Sequence, residues 1–131
     1  FANSPVAAVH ALAYPIGGHF KVPHGLSNAL VLPHVIRFNT ATIPKPYSEI
    51  ASIAFPELDG MNSQEAAAAF SDSLALLSKK CGLQQSLSQV GISKDDISML
   101  SKDAMNQTRL LVNNPRELQE TDAFNIYMAA L

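Results

Sequence analysis

The stretch that decides the fold class runs from Asn62 to Gly82 and reads NSQEAAAAFSDSLALLSKKCG. Its apolar residues recur every three or four positions, which predicts an amphipathic α-helix from about Ser63 to Lys80. Asn62 is a suitable N-cap with Glu65 three residues later, and Gly82 is a plausible C-terminal stop. The predicted apolar face consists of Ala66, Phe70, Leu74, Leu77 and Cys81. We therefore expect Cys81 to lie in the core.

Two further apolar segments precede this helix. The stretch from Ser4 to Ala13, with Pro5 in its first turn, is apolar on nearly every side and predicts a central helix that ends at Gly17-Gly18. A connector is predicted from His19 to Gly25. The apolar pattern returns from Leu26 to Phe38, where Pro33 is expected to kink the helix or split it in two.

The rest of the chain also favours helices. A short helix is predicted from Tyr47 to Ala54, after a proline-containing loop from Thr40 to Pro46. Ser93 and Asp96 form a second capping box that opens a helix to about Met105, and a last helix runs from about Thr121. No long stretch alternates apolar and polar residues, so the sequence predicts a single all-α domain, a helical bundle spanning residues 1–131.

Composition and charge narrow the class of protein. Apolar residues make up 47% of the chain and charged residues 15%, below the usual quarter, so we expect part of the surface to meet a second domain or another subunit. An ordinary Ala-rich helical protein is the alternative. The net charge of −2 without a basic stripe argues against nucleic-acid binding, and no apolar run is long enough for a membrane span.

Two features of the chain bear on compartment and completeness. The single cysteine cannot form an internal disulfide, which favours the reducing cytoplasm. The start, Phe1 to Ser4, has no initiator Met and no signal-peptide pattern, which suggests a fragment of a longer gene product.

All four histidines lie within the first 34 residues, at positions 10, 19, 24 and 34. His10 stands four residues before Tyr14, so both should face one side of a helix. His24 lies between Pro23 and Gly25, which suits a side chain held at fixed geometry. Imidazole binds Fe, Zn, Ni and Cu, so a converging His10 and His24 would form half of a metal site. The alternative is that both are packed core residues.

Two histidines alone fall short of the three or four ligands that hold a catalytic metal. The first acidic residue in the chain is Glu49, so any remaining ligands must come from elsewhere. His19 and His34 are weaker candidates. We expect His19 to be solvated or to line a cleft, and His34 to satisfy backbone groups that a kink at Pro33 would free.

The run from His10 to Gly25, HALAYPIGGHFKVPHG, resembles the signature of the iron-containing alcohol dehydrogenase family, which places a later metal-binding His in a Pro-His-Gly context. The continuation from Asn28 to Asn39, NALVLPHVIRFN, is similar to the same family, as is Asn114-Pro115-Arg116 before a final helix. The resemblance therefore spans nearly the whole chain.

The resemblance implies a two-domain enzyme. An N-terminal α/β domain, absent from this chain, would bind NAD or NADP, and this chain would be the C-terminal helical domain. It implies an Fe(II) ion, or zinc in its place, held by one Asp and three His, of which His10 and His24 would be the last two. Partners would be a small-molecule alcohol or aldehyde, the nucleotide-binding domain and further copies of the enzyme. The reaction would transfer hydride between an alcohol and NAD(P), and the chain alone would be inactive.

One position departs from the family pattern. Many members carry a second His four residues after the first, near nicotinamide and substrate, where this chain has Tyr14. A phenol donates a hydrogen bond but does not ordinarily titrate near pH 7, so we expect Tyr14 to shape the pocket or bind substrate, or simply to pack its ring. Alternative functions are a stand-alone helical interaction module, a zinc enzyme like glycerol dehydrogenase, and a related reductase acting on ketoacids.

Overall fold

The structure, a computed structural model, describes residues 6–131, which form α-helices and short 3₁₀ turns without a strand. The α-helices are α1 Val6–Phe20, α2 His24–Thr40, α3 Pro44–Ala54, α4 Ser63–Lys80, α5 Ile97–Met105, α6 Thr108–Leu111 and α7 Glu120–Ala130. The 3₁₀ turns are Pro56–Leu58, Leu87–Val90 and Lys94–Asp96. The all-α prediction is confirmed. None of these helices has the length and apolar character needed to cross a membrane.

Helix α1 is the centre of the fold, as its apolar sequence predicts. It packs against α2, α5 and α6. Six of its side chains are almost completely buried: Ala8, Val9, Ala11, Leu12, Ala13 and Ile16. The buried Tyr127 hydroxyl donates a 2.6 Å hydrogen bond to the Leu12 carbonyl, which ties α7 to α1. A helix apolar all round needs neighbours on every side, and these contacts supply them.

The predicted end of the first helix at Gly17-Gly18 is wrong. Helix α1 continues through Pro15 and both glycines to Phe20, while its predicted start at Ser4, with Pro5, lies outside the described residues. Glycine disfavours a helix by only about 1 kcal/mol, which packing on several sides outweighs. Gly17 also permits a close approach, since an added Cβ there would lie 3.4 Å from the Val22 carbonyl oxygen.

The predicted connector from His19 to Gly25 is wrong at both ends. His19 belongs to α1, His24 and Gly25 belong to α2, and only residues 21–23 connect the two helices. Lys21 ends α1 with a φ of 55°, in the left-handed region, and its N–H donates to the Gly17 carbonyl at 3.1 Å. This tight turn places the start of α2 beside the end of α1.

Helices α2, α3 and α4 enclose a second apolar cluster, formed by Ile36, Tyr47, Ala51, Leu58, Ala67 and Phe70. Helix α2 is not split at Pro33. Helix α4 packs against α2, and the Ser71 hydroxyl donates to the Pro33 carbonyl at 2.8 Å. Helix α3 ends at Ala54 as predicted. It begins earlier, at Pro44, because proline suits the first helical turn.

Helix α4 has the predicted bounds. Asn62 Oδ1 accepts a 2.9 Å hydrogen bond from the Glu65 N–H, and Gly82 follows the helix with a φ of 79°. The prediction that Cys81 is a core residue is wrong, since it is exposed. The last turns of α4 leave the cluster, and Leu76 and Leu77 are each about half exposed, so the described residues cover this end of the helix only in part.

The capping box at Ser93 is confirmed. Asp96 Oδ2 accepts from the Ser93 N–H at 2.8 Å and from the Ser93 hydroxyl at 2.9 Å, and these bonds lower the pKa of Asp96. The box opens a 3₁₀ turn that leads into α5. Helix α7 begins at Glu120, one residue before its predicted start. The four-residue helix α6 was not predicted.

Candidate metal centre

His10 and His24 come together although they belong to different helices. His10 lies in the middle of α1 and His24 is the first residue of α2. Their ring centroids are 5.4 Å apart with an angle of 40° between the ring planes. The expectation that the two imidazoles converge therefore holds in the structure.

Tyr14 lies on the same side of α1 as His10, as their spacing predicts. Its ring stacks on His24, with 5.7 Å between centroids and 28° between planes. Tyr14 is about half exposed. The three rings form one aromatic group, in which Tyr14 limits the orientations that His24 can adopt.

The backbone before His24 is fixed by Ser27, a fully buried residue of α2. Its hydroxyl lies 3.3 Å from the Val22 carbonyl and 3.1 Å from the Pro23 carbonyl. Pro23 is the N-cap, with a φ of −53° and a ψ of 142° that turn the chain into the helix. The Pro-His-Gly context thus serves to set the direction in which His24 leaves the chain.

Asn28 lies beside His24, one turn further along α2. Its Nδ2 is 3.2 Å from His24 Nε2, so the amide orients the imidazole ring. Its other polar atom, Oδ1, is buried and has no hydrogen-bond partner within residues 6–131.

The two imidazoles fit a divalent metal ion in chemistry and separation. Metal–nitrogen distances are about 2.0–2.1 Å, and rings bound to one such ion stand roughly as far apart as these do. No third His, Cys, Asp or Glu joins them among the described residues. The pair thus offers two imidazole nitrogens, and a catalytic metal site needs at least one more ligand.

A cleft of about 350 Å³ borders this centre at Tyr14. It is lined by Tyr14, Pro15, Gly18, His19, Asp103, Asn106 and Gln107. His19 Nε2 contacts Asp103 Oδ2 across it, joining α1 to α5. His19 lines a cleft, as expected. Its pairing with Asp103, 84 residues away in sequence, had no signal in the sequence.

His34 lies away from the metal centre, in a second cleft with Arg37, Phe38 and Arg116. Its Nδ1 is buried without a hydrogen-bond partner in the described part of the chain. The expectation that His34 satisfies backbone groups at Pro33 therefore does not hold for this atom. Burial, with a smaller contribution from Arg37, lowers the pKa of His34.

Asn114 and Arg116 hold the chain before α7 against α2. The amides of Asn39 and Asn114 exchange hydrogen bonds of 3.1 and 2.8 Å while both residues are buried. Arg116 donates to the Phe38 carbonyl at 2.7 Å and covers the Phe38 ring at 3.8 Å. The Asn-Pro-Arg segment therefore has a structural role in this chain.

Residues 1–131 match the family model described as Fe-containing alcohol dehydrogenase family, C-terminal. The chain belongs to this family. The resemblance seen in the run from His10 to Gly25 is thus confirmed over the whole chain.

Individual relatives agree with this assignment. The chain is 33% identical over 130 residues to lactaldehyde reductase of Escherichia coli, covering 99% of the chain and 34% of that protein. It is 36% identical over 130 residues to long-chain-alcohol dehydrogenase 1 of Geobacillus thermodenitrificans, covering 99% and 33%. The chain spans about a third of the length of the curated relatives it matches.

Solved structures share the fold. A 1,3-propanediol oxidoreductase matches with a TM-score of 0.88 and 30% identity over 95% of this chain and 32% of its own. An alcohol dehydrogenase from Oenococcus oeni matches with a TM-score of 0.87 and 28% identity over 94% and 32%. The helical bundle is therefore the fold of one part of these larger enzymes.

Proposed function

We propose that this chain is the metal-binding helical domain of an NAD(P)-dependent alcohol dehydrogenase, with His10 and His24 as two ligands of a divalent iron ion. The carrying observation is the 5.4 Å separation of the two imidazole rings, which come from different helices. The remaining ligands and the nucleotide-binding domain belong to polypeptide beyond this chain, and the assembled enzyme is a homo-oligomer of the cytoplasm.

The substrate class follows from the relatives. Their names include lactaldehyde reductase, 1,3-propanediol dehydrogenase and long-chain-alcohol dehydrogenase. All of these names denote oxidoreductases of alcohols or aldehydes. We infer the same class, a small-molecule alcohol or aldehyde, for the enzyme that contains this chain.

Each residue of the centre has a distinct task. His10 and His24 hold the metal through ring nitrogens, Tyr14 and Asn28 fix the orientation of His24, and Ser27 fixes the backbone that carries it. A divalent metal bound there supplies a Lewis acid that polarises the oxygen of an alcohol or carbonyl substrate. The buried apolar residues of α1 behind His10 keep water from that side of the centre.

The test is removal of one ligand in the full-length protein. Replacing His24 by Ala should lower metal affinity by roughly 10²-fold or more, since even indirect support of a ligand is worth 10- to 100-fold. Hydride transfer to NAD(P) should be lost with the metal. Elemental analysis of purified protein measures the metal and also distinguishes iron from zinc.

The matched control is His34→Ala, which removes an imidazole from the same helix but away from the centre. This variant should keep the wild-type metal content per folded protomer. A His24→Ala enzyme that retains full metal and full activity would overturn the ligand assignment.

A further inference from the structure

The cleft beside the metal centre contains a histidine that the proposed metal centre does not use. His19 follows Tyr14 by five residues on α1, and both residues line the cleft. Tyr14 also stacks on His24, so it links the cleft to the metal centre directly. The cleft therefore borders the proposed metal centre at Tyr14.

Asp103 determines which nitrogen of His19 carries a proton. An ionised carboxylate only accepts hydrogen bonds, so the Nε2 that contacts Asp103 Oδ2 must be the donor. In a neutral imidazole with Nε2–H, the other nitrogen, Nδ1, is an acceptor. The His19 and Asp103 side chains are 44% and 40% exposed, so a proton on this ring can exchange with solvent.

The other groups around His19 do not supply the same chemistry. Tyr14 on α1 is a phenol, and Asn106 and Gln107 beyond α5 are uncharged amides. Tyr127 of α7 is buried, and burial raises its pKa, with a smaller contribution from Asp103. From α2, His24 reaches the cleft only through its stacking on Tyr14. Among the residues that line the cleft, His19 is the one whose ring can accept a proton at one nitrogen while it donates from the other.

Resting on the proposed function, we infer that His19 is the proton acceptor for alcohol oxidation and the proton donor for carbonyl reduction, with Asp103 as its positioning residue. The carbinol C–H bond breaks and its hydride reduces NAD(P)⁺, so the alcohol is oxidised. The O–H bond breaks and its proton passes through the cleft to His19 Nδ1, from which it leaves to solvent. Reduction reverses both transfers.

The experiment measures kcat/KM against pH in the full-length, metal-loaded enzyme, in both directions of the reaction. His19→Gln should lower the optimum rate by about 10²-fold, the low end for general acid–base catalysis, and remove the limb at which oxidation slows in acid. Metal content should be unchanged. Added imidazole should restore part of the rate of His19→Ala. Such rescue is not expected if His19 only joins two helices through its contact with Asp103.

Two further variants separate proton transfer from a structural bridge. Asp103→Asn offers a side chain that donates as well as accepts, so the tautomer is no longer fixed and a smaller rate loss is expected. Asp72→Asn breaks the exposed 2.6 Å ion pair with Arg37, between α4 and α2, and should leave the pH profile unchanged. If His19→Gln fails to fold, the pH profile of Asp103→Asn tests the inference instead: an altered profile supports proton transfer by His19, and a wild-type profile contradicts it.

The inference fails if His19→Gln keeps the wild-type pH profile, because His19 and Asp103 then only join two helices. It also fails if His19→Gln loses the metal, because the ring then supports the metal centre. If the wild-type enzyme binds metal and transfers hydride, neither of these two results contradicts the proposed function. A wild-type enzyme without metal-dependent hydride transfer overturns both.

Discussion

At the scale of single residues, the four histidines have three different surroundings. His10 and His24 meet in one aromatic group, His19 faces a carboxylate, and His34 is largely enclosed with Arg37 nearby. The same side chain is therefore found in an aromatic group, beside a carboxylate and in a largely enclosed setting. Only the surroundings, and not the residue type, distinguish these roles.

His34 makes stability sensitive to acid. Burial lowers the pKa of His34 in the folded state, while the unfolded chain regains the ordinary value of 6.5. The unfolded state therefore binds the proton first, so the free energy of unfolding falls as the pH drops from about 6.5 towards the lowered pKa. Urea unfolding of wild type and His34→Gln across this range measures the effect. The variant should lose less stability on acidification, and parallel curves would contradict the prediction.

At the scale of elements, helix α4 shows how local signals set bounds. Its first residue follows a capping Asn62 and its last precedes Gly82 by two positions, as the sequence predicts. Helix α1 behaves differently, since it passes through Pro15, Gly17 and Gly18. The difference is burial: most of α1 between Ala8 and Ile16 is buried, whereas much of α4 faces solvent.

The cap of α4 can be tested alone. Asn62→Ala removes the acceptor of the Glu65 N–H and should lower the free energy of unfolding by about 1 kcal/mol. Asn62→Asp retains an acceptor at the same place and is the control. Chemical denaturation measures both variants. Equal stability of Asn62→Ala and wild type would show that the cap contributes nothing.

At the scale of the whole molecule, the described residues leave large apolar side chains in solvent. Ile53 at the end of α3 and Val112 after α6 are 82% and 77% exposed. Such residues are common singly, but here they accompany half-exposed Leu76 and Leu77 and a charged fraction of 15%. The surface therefore has the character of one that is covered in a larger assembly.

We expect this chain by itself to self-associate and to show no dehydrogenase activity. Apolar side chains left in water favour contact between copies, and the described residues offer only two converging ligands. Sedimentation measures the association, which should weaken in the double variant Ile53→Ser, Val112→Ser. A wild-type chain that stays monomeric at high concentration would contradict the expected self-association. A chain that oxidises an alcohol with NAD(P) by itself would contradict the expected lack of activity.

The sequence by itself determined the features that depend on neighbours within one or two turns. The bounds of α4, the capping box at Ser93 and the shared side of His10 and Tyr14 all follow from spacings of three or four residues. The burial of α1 also followed, because a helix without a polar face has no side that water can cover well.

Only the tertiary structure decided what depends on residues far apart in the chain. The continuation of α1 to Phe20 depends on packing by α2, α5 and α6, and the exposure of Cys81 depends on where the neighbours of α4 end. The pairing of His19 with Asp103 joins residues 84 positions apart. Local spacing carries no information about such partners, because their free energy arises only when the helices pack together.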